Sequence, residues 1–233
     1  QVVMMNNLLV IDTSATLSQV WLTAQCGKFS RETAGERQAA QQVLPLIAEI
    51  LAEAKLMVSD LNGIAVVAGP GSFTGIRIGI GIAQGLSLSQ SIPAIALSSM
   101  AASAMTVMAE IEDDHVLICR SARDNEVYFG AYQTSSAEGV VLIGKEQVCA
   151  VDEINFPALS SRIAKEWTLV GENHGHAQTV VKTIDIPIKR IIIQPKISLE
   201  QVAKLALLRF ESAKGTEAAQ LKPNYIKDQL DYG

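Results

Sequence analysis

Apolar and polar positions along this chain fall into two registers. Short apolar runs and strict alternation predict strands, and apolar residues three and four apart predict helices. "LLVID" (8–12) is an apolar run that ends in Asp and is followed by a polar "TSAT" turn. "LSQVWLTA" (17–24) alternates as a strand does, and Cys26-Gly27 turns the chain into a third strand near 28–34. From Arg37 to Lys55 the spacing of Val43, Leu44, Ile47, Ile50, Leu51 and Ala54 is helical. Pro45 lies inside it and predicts a kink or the true first turn. "GIAVVA" (63–68) reads as a buried strand, and the glycine-rich "GPGSFTGIRIGIGIAQGL" leads from it into a helix capped by Ser72 or Thr74. "PAIAL" (93–97) predicts a strand, and "SSMAASAMTVMAE" a helix capped by Ser98 or Ser99.

The pattern then recurs. "HVLICRSARDNEVYFGAYQ" (115–133) matches "LLVIDTSATLSQVWLTAQ": an apolar strand, a polar turn containing Ser, and an alternating strand with aromatics. "GVVLIGKEQV" supplies a third strand, "WTLVG" (167–171) another, and His174 to Thr183 a helix. "SLEQVAKLALLRFESAKG" (198–215) is a helix with a Ser198/Gln201 capping box and Gly215 for its C-terminal turn. The expected fold is therefore α/β, a duplicated βββαβαβα unit whose second copy is eroded. The expected lobes are 1–110 and 111–233, with helix 198–213 packing back on the first.

Composition narrows the function classes. With 233 residues, 48% hydrophobic and 18% charged, the chain can bury a real core. The three cysteines, Cys26, Cys119 and Cys149, are far apart and form no CxxC. That predicts small buried hydrophobes in a reduced, cytoplasmic setting rather than a disulfide framework or a zinc site. A net charge of −5, without a Lys/Arg cluster, predicts that nucleic acid is not gripped by this chain alone. No apolar run predicts a membrane helix.

Candidate chemistry is sparse. His115, His174 and His176 are the only histidines, and none are four apart, so the paired imidazoles of a helix-borne metal site are missing and no metal is expected. Asp12, in the Asp12-Thr13-Ser14-Ala15 turn, is the weak candidate for a nucleotide or magnesium contact. That turn has no glycine to let backbone N–H groups reach a phosphate, and Asp12 can equally cap its own turn. The Arg120-Ser121-Ala122 turn lacks glycine too; Arg120 and Arg123 suit a phosphate or a carboxylate, with surface ion pairing as the default. Glu126 and Tyr128 read as hairpin residues, Asp113-Asp114 as a solvated loop, and Trp21 and Trp167 as core. No cofactor is expected.

The helix after the glycine-rich turn is stranger than the turn. Gly75, Gly79, Gly81 and Gly85 lie within it, and each glycine costs about 1 kcal/mol relative to alanine. At about 100° per residue, Gly75, Gly79, Ile82 and Leu86 share one face. Gly81 and Gly85 lie on another, with Ile78 between. Arg77 and Gln84 are its narrow polar stripe. A helix so apolar around its girth predicts two buried sides, one on its own sheet and one on a partner chain. Leu44, Ile47 and Leu51 of the preceding helix extend the expected interface, giving Leu44, Ile47, Leu51, Gly75, Ile78, Gly79, Ile82 and Leu86.

"LLVIDTS" with "GPGSFTGIRIGIGIAQGL", "SARDNEVYFGAY" and "LKPNYIKD" resemble the TsaB family, also called YeaZ. The resemblance implies a two-lobed actin/Hsp70/sugar-kinase-like (ribonuclease H-like) fold. It also implies a subunit without chemistry of its own that binds TsaD, the catalytic subunit transferring threonylcarbamoyl to a tRNA adenosine beside the anticodon. With TsaD it recruits the ATPase TsaE, and it forms homodimers through its first-lobe helices, meeting tRNA only through the complex. The sequence departs from the family pattern at Ala39 where a His is common, at Ser121 for an Asp, and in Tyr225-Ile226-Lys227 for Tyr-Leu-Arg. The rival readings are an ATP-dependent transferase or kinase and a glycoprotease-like metallopeptidase.

Overall fold

The computed structural model describes residues 6–33, 38–123, 125–154, 166–184, 186–212, 221–224 and 226. Gly215, Tyr225, Lys227 and the start of the first predicted helix at Arg37 lie outside them. The chain divides into two compact units, 1–102 with 198–224, and 103–197 with 225–233.

The first unit is built on β1 (Leu8–Asp12), β2 (Gln19–Ala24), β3 (Gly27–Glu32), β4 (Gly63–Val67) and β5 (Ala94–Leu97). They form one mixed sheet in the order β3-β2-β1-β4-β5. β2 runs antiparallel to β1, with Val10 opposite Trp21, and β4 runs parallel, with Val10 beside Ala65. Both central strands are buried at every residue, which is why they read as unbroken apolar runs. α1 (Ala39–Glu53) and α2 (Phe73–Gln90) cover one face, where Leu9, Ile11, Val43, Ile47, Ile50, Val66, Ile76 and Ile80 share a core. Strand alternation turns Leu8 and Val10 to the opposite face. α5 (Leu199–Ser212) returns from the far end of the sequence to lie against β1, β2 and β5. Lys28 of β3 ties to Glu200 of α5 at 2.5 Å. Pro45 sits within α1 on its exposed side, and the helix runs on through it.

The second unit repeats this plan. β6 (His115–Ser121), β7 (Glu126–Ser135), β8 (Gly139–Ala150), β9 (Trp167–Gly171) and β10 (Ile188–Ile193) are ordered β10-β9-β6-β7-β8. Counted from its first strand, that is the order of the first sheet. α4 (His174–Thr183) follows β9 as α2 follows β4. α3 (Ser99–Ile111) joins the two repeats, and Ser98 caps it by accepting from the Met100 N–H at 3.1 Å. The structure adds β10, which the sequence reading lacks. The capping box of α5 keeps its Ser198 half: the Gln201 N–H donates to Ser198 Oγ at 3.4 Å.

Three expectations are corrected. Cys26 is exposed in the β2–β3 turn, its thiol 3.6 Å from the Ala54 carbonyl oxygen, because a tight turn has no core to enter. Trp21 is half-buried, donating through Nε1 to Thr23 Oγ1 at 2.9 Å. Asp113 is buried rather than solvated. Thr168 Oγ1 donates to it at 2.6 Å, Lys189 Nζ lies 3.0 Å away, and the Asp114 N–H donates at 2.9 Å. Burial is the largest single influence on its ionisation and opposes it. The Thr168 hydroxyl, Lys189 and the Asp114 N–H together overcome that and hold the carboxyl below its ordinary value.

A carboxylate whose folded pKa is depressed contributes stability that is complete above its unfolded pKa and fades as pH falls through the folded value. Asp113→Asn should therefore cost about 1–3 kcal/mol at pH 7. That deficit against the parent chain should shrink progressively below about pH 4, read from denaturant unfolding at a series of pH values.

Candidate functional site

At the carboxyl ends of β1 and β4, two turns interlock. Asp12 Oδ1 accepts from both the Ser14 N–H, at 2.8 Å, and the Ser14 hydroxyl, at 2.7 Å. This buried carboxylate is an Asx turn: it shapes its own loop. The loop is laid against the start of α2. Thr13 Oγ1 donates to the Gly75 carbonyl oxygen at 2.7 Å, and the Ser72 N–H donates to the Ser14 carbonyl oxygen at 2.8 Å. Ser72, not Thr74, caps the helix, accepting from the Gly75 N–H at 3.2 Å.

The glycines follow from this contact. A Cβ on Gly71 would collide with the Ser14 carbonyl oxygen, on Gly75 with the Thr13 carbonyl oxygen, and on Gly79 with Thr13 Oγ1. What resembles a phosphate cradle is packed with the molecule's own β1 turn. Residues 221–224 reinforce the region: the Asn224 N–H donates to the Ala68 carbonyl oxygen at 2.8 Å, and Gln84 Nε2 donates to the Leu221 carbonyl oxygen at 3.1 Å.

Four of the eight residues expected at a partner surface are thus used inside the first unit. Ile47 and Leu51 belong to its core, and Gly75 and Gly79 are buried under Thr13. The helical turn count put Gly75 and Gly79 on a face without saying which way it points. Ile78, Ile82 and Leu86 are half-buried flank residues that pack on the core, and Leu44 is 51% exposed. The outward stripe of α2 is Thr74, Arg77, Gly81, Gly85 and Leu88. Leu88 is 69% exposed, and the neighbouring Phe73 56%. Around Gly81 and Gly85 a Cβ would meet nothing within 4 Å among the described residues. On α1, Leu44, Ala48 and Ala52 are exposed one turn apart. Phe73 and Leu88 were not among the expected residues; the 81-85-88 spacing is the signal that brings Leu88 in.

In the second unit the corresponding turns are braced by polar side chains. Arg120 Nε donates to Glu172 Oε1 at 2.8 Å, the Ser121 N–H to Glu172 Oε2 at 2.9 Å, and Asn173 Nδ2 to Ser121 Oγ at 3.1 Å. Arg120 thus pairs within its own unit. Asn173 Oδ1 caps α4 by accepting from the His176 N–H at 2.7 Å, so His174 and His176 lie in the first turn of the expected helix. Among the described residues no three His, Cys, Asp or Glu side chains gather as metal ligands. Cys119 is buried, and that burial chiefly, then the charge of Glu172 and the nearby Cys149, pushes its thiol up to about 12. Such a thiol is not a nucleophile at neutral pH. No described helix is long and apolar enough to cross a membrane.

A family model described as "TsaD: tRNA N6-adenosine threonylcarbamoyltransferase" matches residues 16–226. The chain is 32% identical over 195 residues to the tRNA threonylcarbamoyladenosine biosynthesis protein TsaB of Escherichia coli (strain K12), covering 83% of each chain. It is 31% identical over 165 residues to TsaB of Buchnera aphidicola subsp. Schizaphis graminum (strain Sg), covering 71% of this chain and 78% of that one. The solved structure of YeaZ from Pseudomonas aeruginosa superposes with a TM-score of 0.82 at 30% identity, over 95% of this chain and 100% of that chain.

The two kinds of glycine in α2 separate by experiment. Gly75→Ala should destabilise the chain by about 1–3 kcal/mol through overpacking against Thr13. Gly81→Ala, in open space, should stabilise the isolated chain by up to about 1 kcal/mol. Thermal and denaturant unfolding of the two variants checks both signs.

Proposed function

The chain belongs to the TsaB (YeaZ) family, and from that premise we propose that it serves threonylcarbamoyladenosine biosynthesis on tRNA as a non-catalytic subunit. It binds a TsaD-like catalytic subunit, which transfers the threonylcarbamoyl group to the adenosine beside the anticodon, and the pair helps recruit a TsaE-like ATPase. Its setting is the cytoplasm, and it meets tRNA through the complex.

One observation carries the partner reading. The outer face of α2 presents Gly81 and Gly85 with open space around them, beside exposed Phe73 and Leu88. Each glycine forgoes about 1 kcal/mol of helix stability, and no packing among the described residues requires either of them. Close approach of a second helix offsets that cost, because bare backbone lets helix axes come nearer than any side chain allows. Leu44, Ala48 and Ala52 on α1 widen the same apolar surface. A homodimer would use this face as well, so self-association and TsaD binding compete. The non-catalytic reading draws support from the first unit's turns: Asp12 Oδ1 accepts twice from Ser14, and the Ser14 carbonyl oxygen occupies the loop before α2.

Depleting the chain in its own cell should remove threonylcarbamoyladenosine from tRNA, scored by mass spectrometry of tRNA nucleosides; undiminished modification would refute the role. Leu88→Glu should weaken binding of the purified TsaD-like subunit about tenfold or more while the chain stays folded, since it places a charge in the core of the contact. Unchanged affinity in titration calorimetry would remove α2 from the interface.

A further inference from the structure

We propose that Lys189 and the buried Asp113 form a register lock for β10. Lys189 is one residue too many for the strand, and the chain carries it as a bulge because its ammonium answers the Asp113 carboxylate.

β10 is the outer strand of the second sheet, and four of its six residues are isoleucine. A strand this uniform has little in its own pattern to choose one pairing over the next, and a slip of one residue turns every side chain to the other face. Its pairing with β9 is broken at one point. Ile188 lies beside Trp167 and Arg190 beside Thr168, so two steps along β10 match one step along β9, and Lys189 has no β9 partner of its own. The bulge reverses the alternation. Ile186 and Ile188 pack on the second unit's core together with Ile193, although an uninterrupted strand would send 188 and 193 to opposite faces. Trp167, Leu169 and Ala177 belong to that same core, and a Cβ on Gly171 would lie 3.4 Å from Ile193. Lys189 and Arg190 are both exposed.

Each unbulged pairing of this sequence is costly. Carrying the Ile188–Trp167 pairing forward would set Arg190 beside Leu169, and carrying the Arg190–Thr168 pairing back would set Lys189 beside Trp167. Either puts a cation on the apolar face. A chain without Lys189 would need no bulge, since Ile188 beside Trp167 and Arg190 beside Thr168 would then be consecutive pairs. The apolar pattern therefore has no use for Lys189, but Asp113 has. The Asp113 side chain is 6% exposed, with Lys189 Nζ 3.0 Å from its Oδ1. Thr168 Oγ1 donates to its Oδ2 at 2.6 Å, and Thr168 is the β9 residue at which β10 resumes its register. Asp113, two residues before β6, thus ties β9 and β10 together at the bulge. A buried ion pair adds little net stability but demands one geometry, and fixing register is a use that suits it.

The test is a cycle on the full-length chain: deletion of Lys189, Asp113→Asn, the two combined, and Lys189→Arg. Denaturant unfolding at pH 7 gives folding equilibrium constants, and amide hydrogen exchange compares β10 with β6 in each chain. Deleting Lys189 from the parent should lower the folding constant about tenfold or more, because it leaves a buried carboxylate without its cation. The same deletion in the Asp113→Asn chain should lower it less than about twofold, or raise it, because the strand becomes regular and no carboxylate is left unanswered. Lys189→Arg, which keeps the cation, should stay within about threefold of the parent. In Asp113→Asn the β10 amides should exchange about tenfold faster relative to those of β6, since the lock acts on one strand. Equal effects of the deletion in the two backgrounds, or parent-like stability after deletion from the parent, overturn the proposal. So does a rise in exchange that is uniform across the sheet, the mark of a contact that stabilises without setting register. If the single-deletion chain does not fold, the deletion combined with Asp113→Asn should fold, and failure of both overturns it.

Discussion

The first unit depends on one close approach, the seat of the β1 turn on the start of α2. Two hydrogen bonds hold it, Thr13 Oγ1 to the Gly75 carbonyl and the Ser72 N–H to the Ser14 carbonyl. Three glycines make it sterically possible, since a Cβ at 71, 75 or 79 would occupy the same space as Thr13 or Ser14. The seat fixes how α2 is rotated about its axis. Once Gly75 and Gly79 face β1, Gly81 and Gly85 turn away from it, because a residue six positions on lies about 120° round the helix. An internal packing constraint thus sets which residues of α2 are left exposed.

The same constraint bears on chemistry. The carboxyl ends of parallel strands beside a helix N-terminus are where open α/β sheets hold ligands. In this chain that crevice contains the Ser14 carbonyl, and the Asp12 carboxylate turns inward to Ser14. The second unit meets the corresponding geometry with different residues. Glu172, Arg120, Ser121 and Asn173 cross-link its two turns through side chains instead of bare backbone. Two sheets of one strand order have therefore diverged into a glycine-packed and a polar-braced version of one crevice.

Much of this was legible in the residues. The alternation of "LSQVWLTA", the unbroken "LLVID" and "GIAVVA", and the helical spacing of Val43, Ile47, Ile50 and Leu51 each report a local periodicity tied to burial. Their observed elements, β2, β1, β4 and α1, begin and end within two residues of the readings. The recurrence at 115–133 likewise foreshadowed the second sheet. β10 was missed because "IKRIII" mixes cations into a strand at the edge of its sheet, where one side needs no apolar pattern. Asp113 was misread because its partners, Thr168 and Lys189, lie 55 and 76 residues further along (168 − 113 and 189 − 113).

The sequence by itself determined the strand and helix order, the duplication, and the existence of a glycine-rich helix that is apolar around most of its girth. Those properties are written in periods of two to four residues, or in motifs contiguous along the chain. Only the tertiary structure decided which glycines look inward and which look outward. That choice depends on where Thr13 sits relative to Gly75, 62 residues away, and a helical turn count gives relative angles but no absolute direction. For the same reason it took the folded chain to place Ile47, Leu51, Gly75 and Gly79 in the interior and to leave Phe73 and Leu88 exposed.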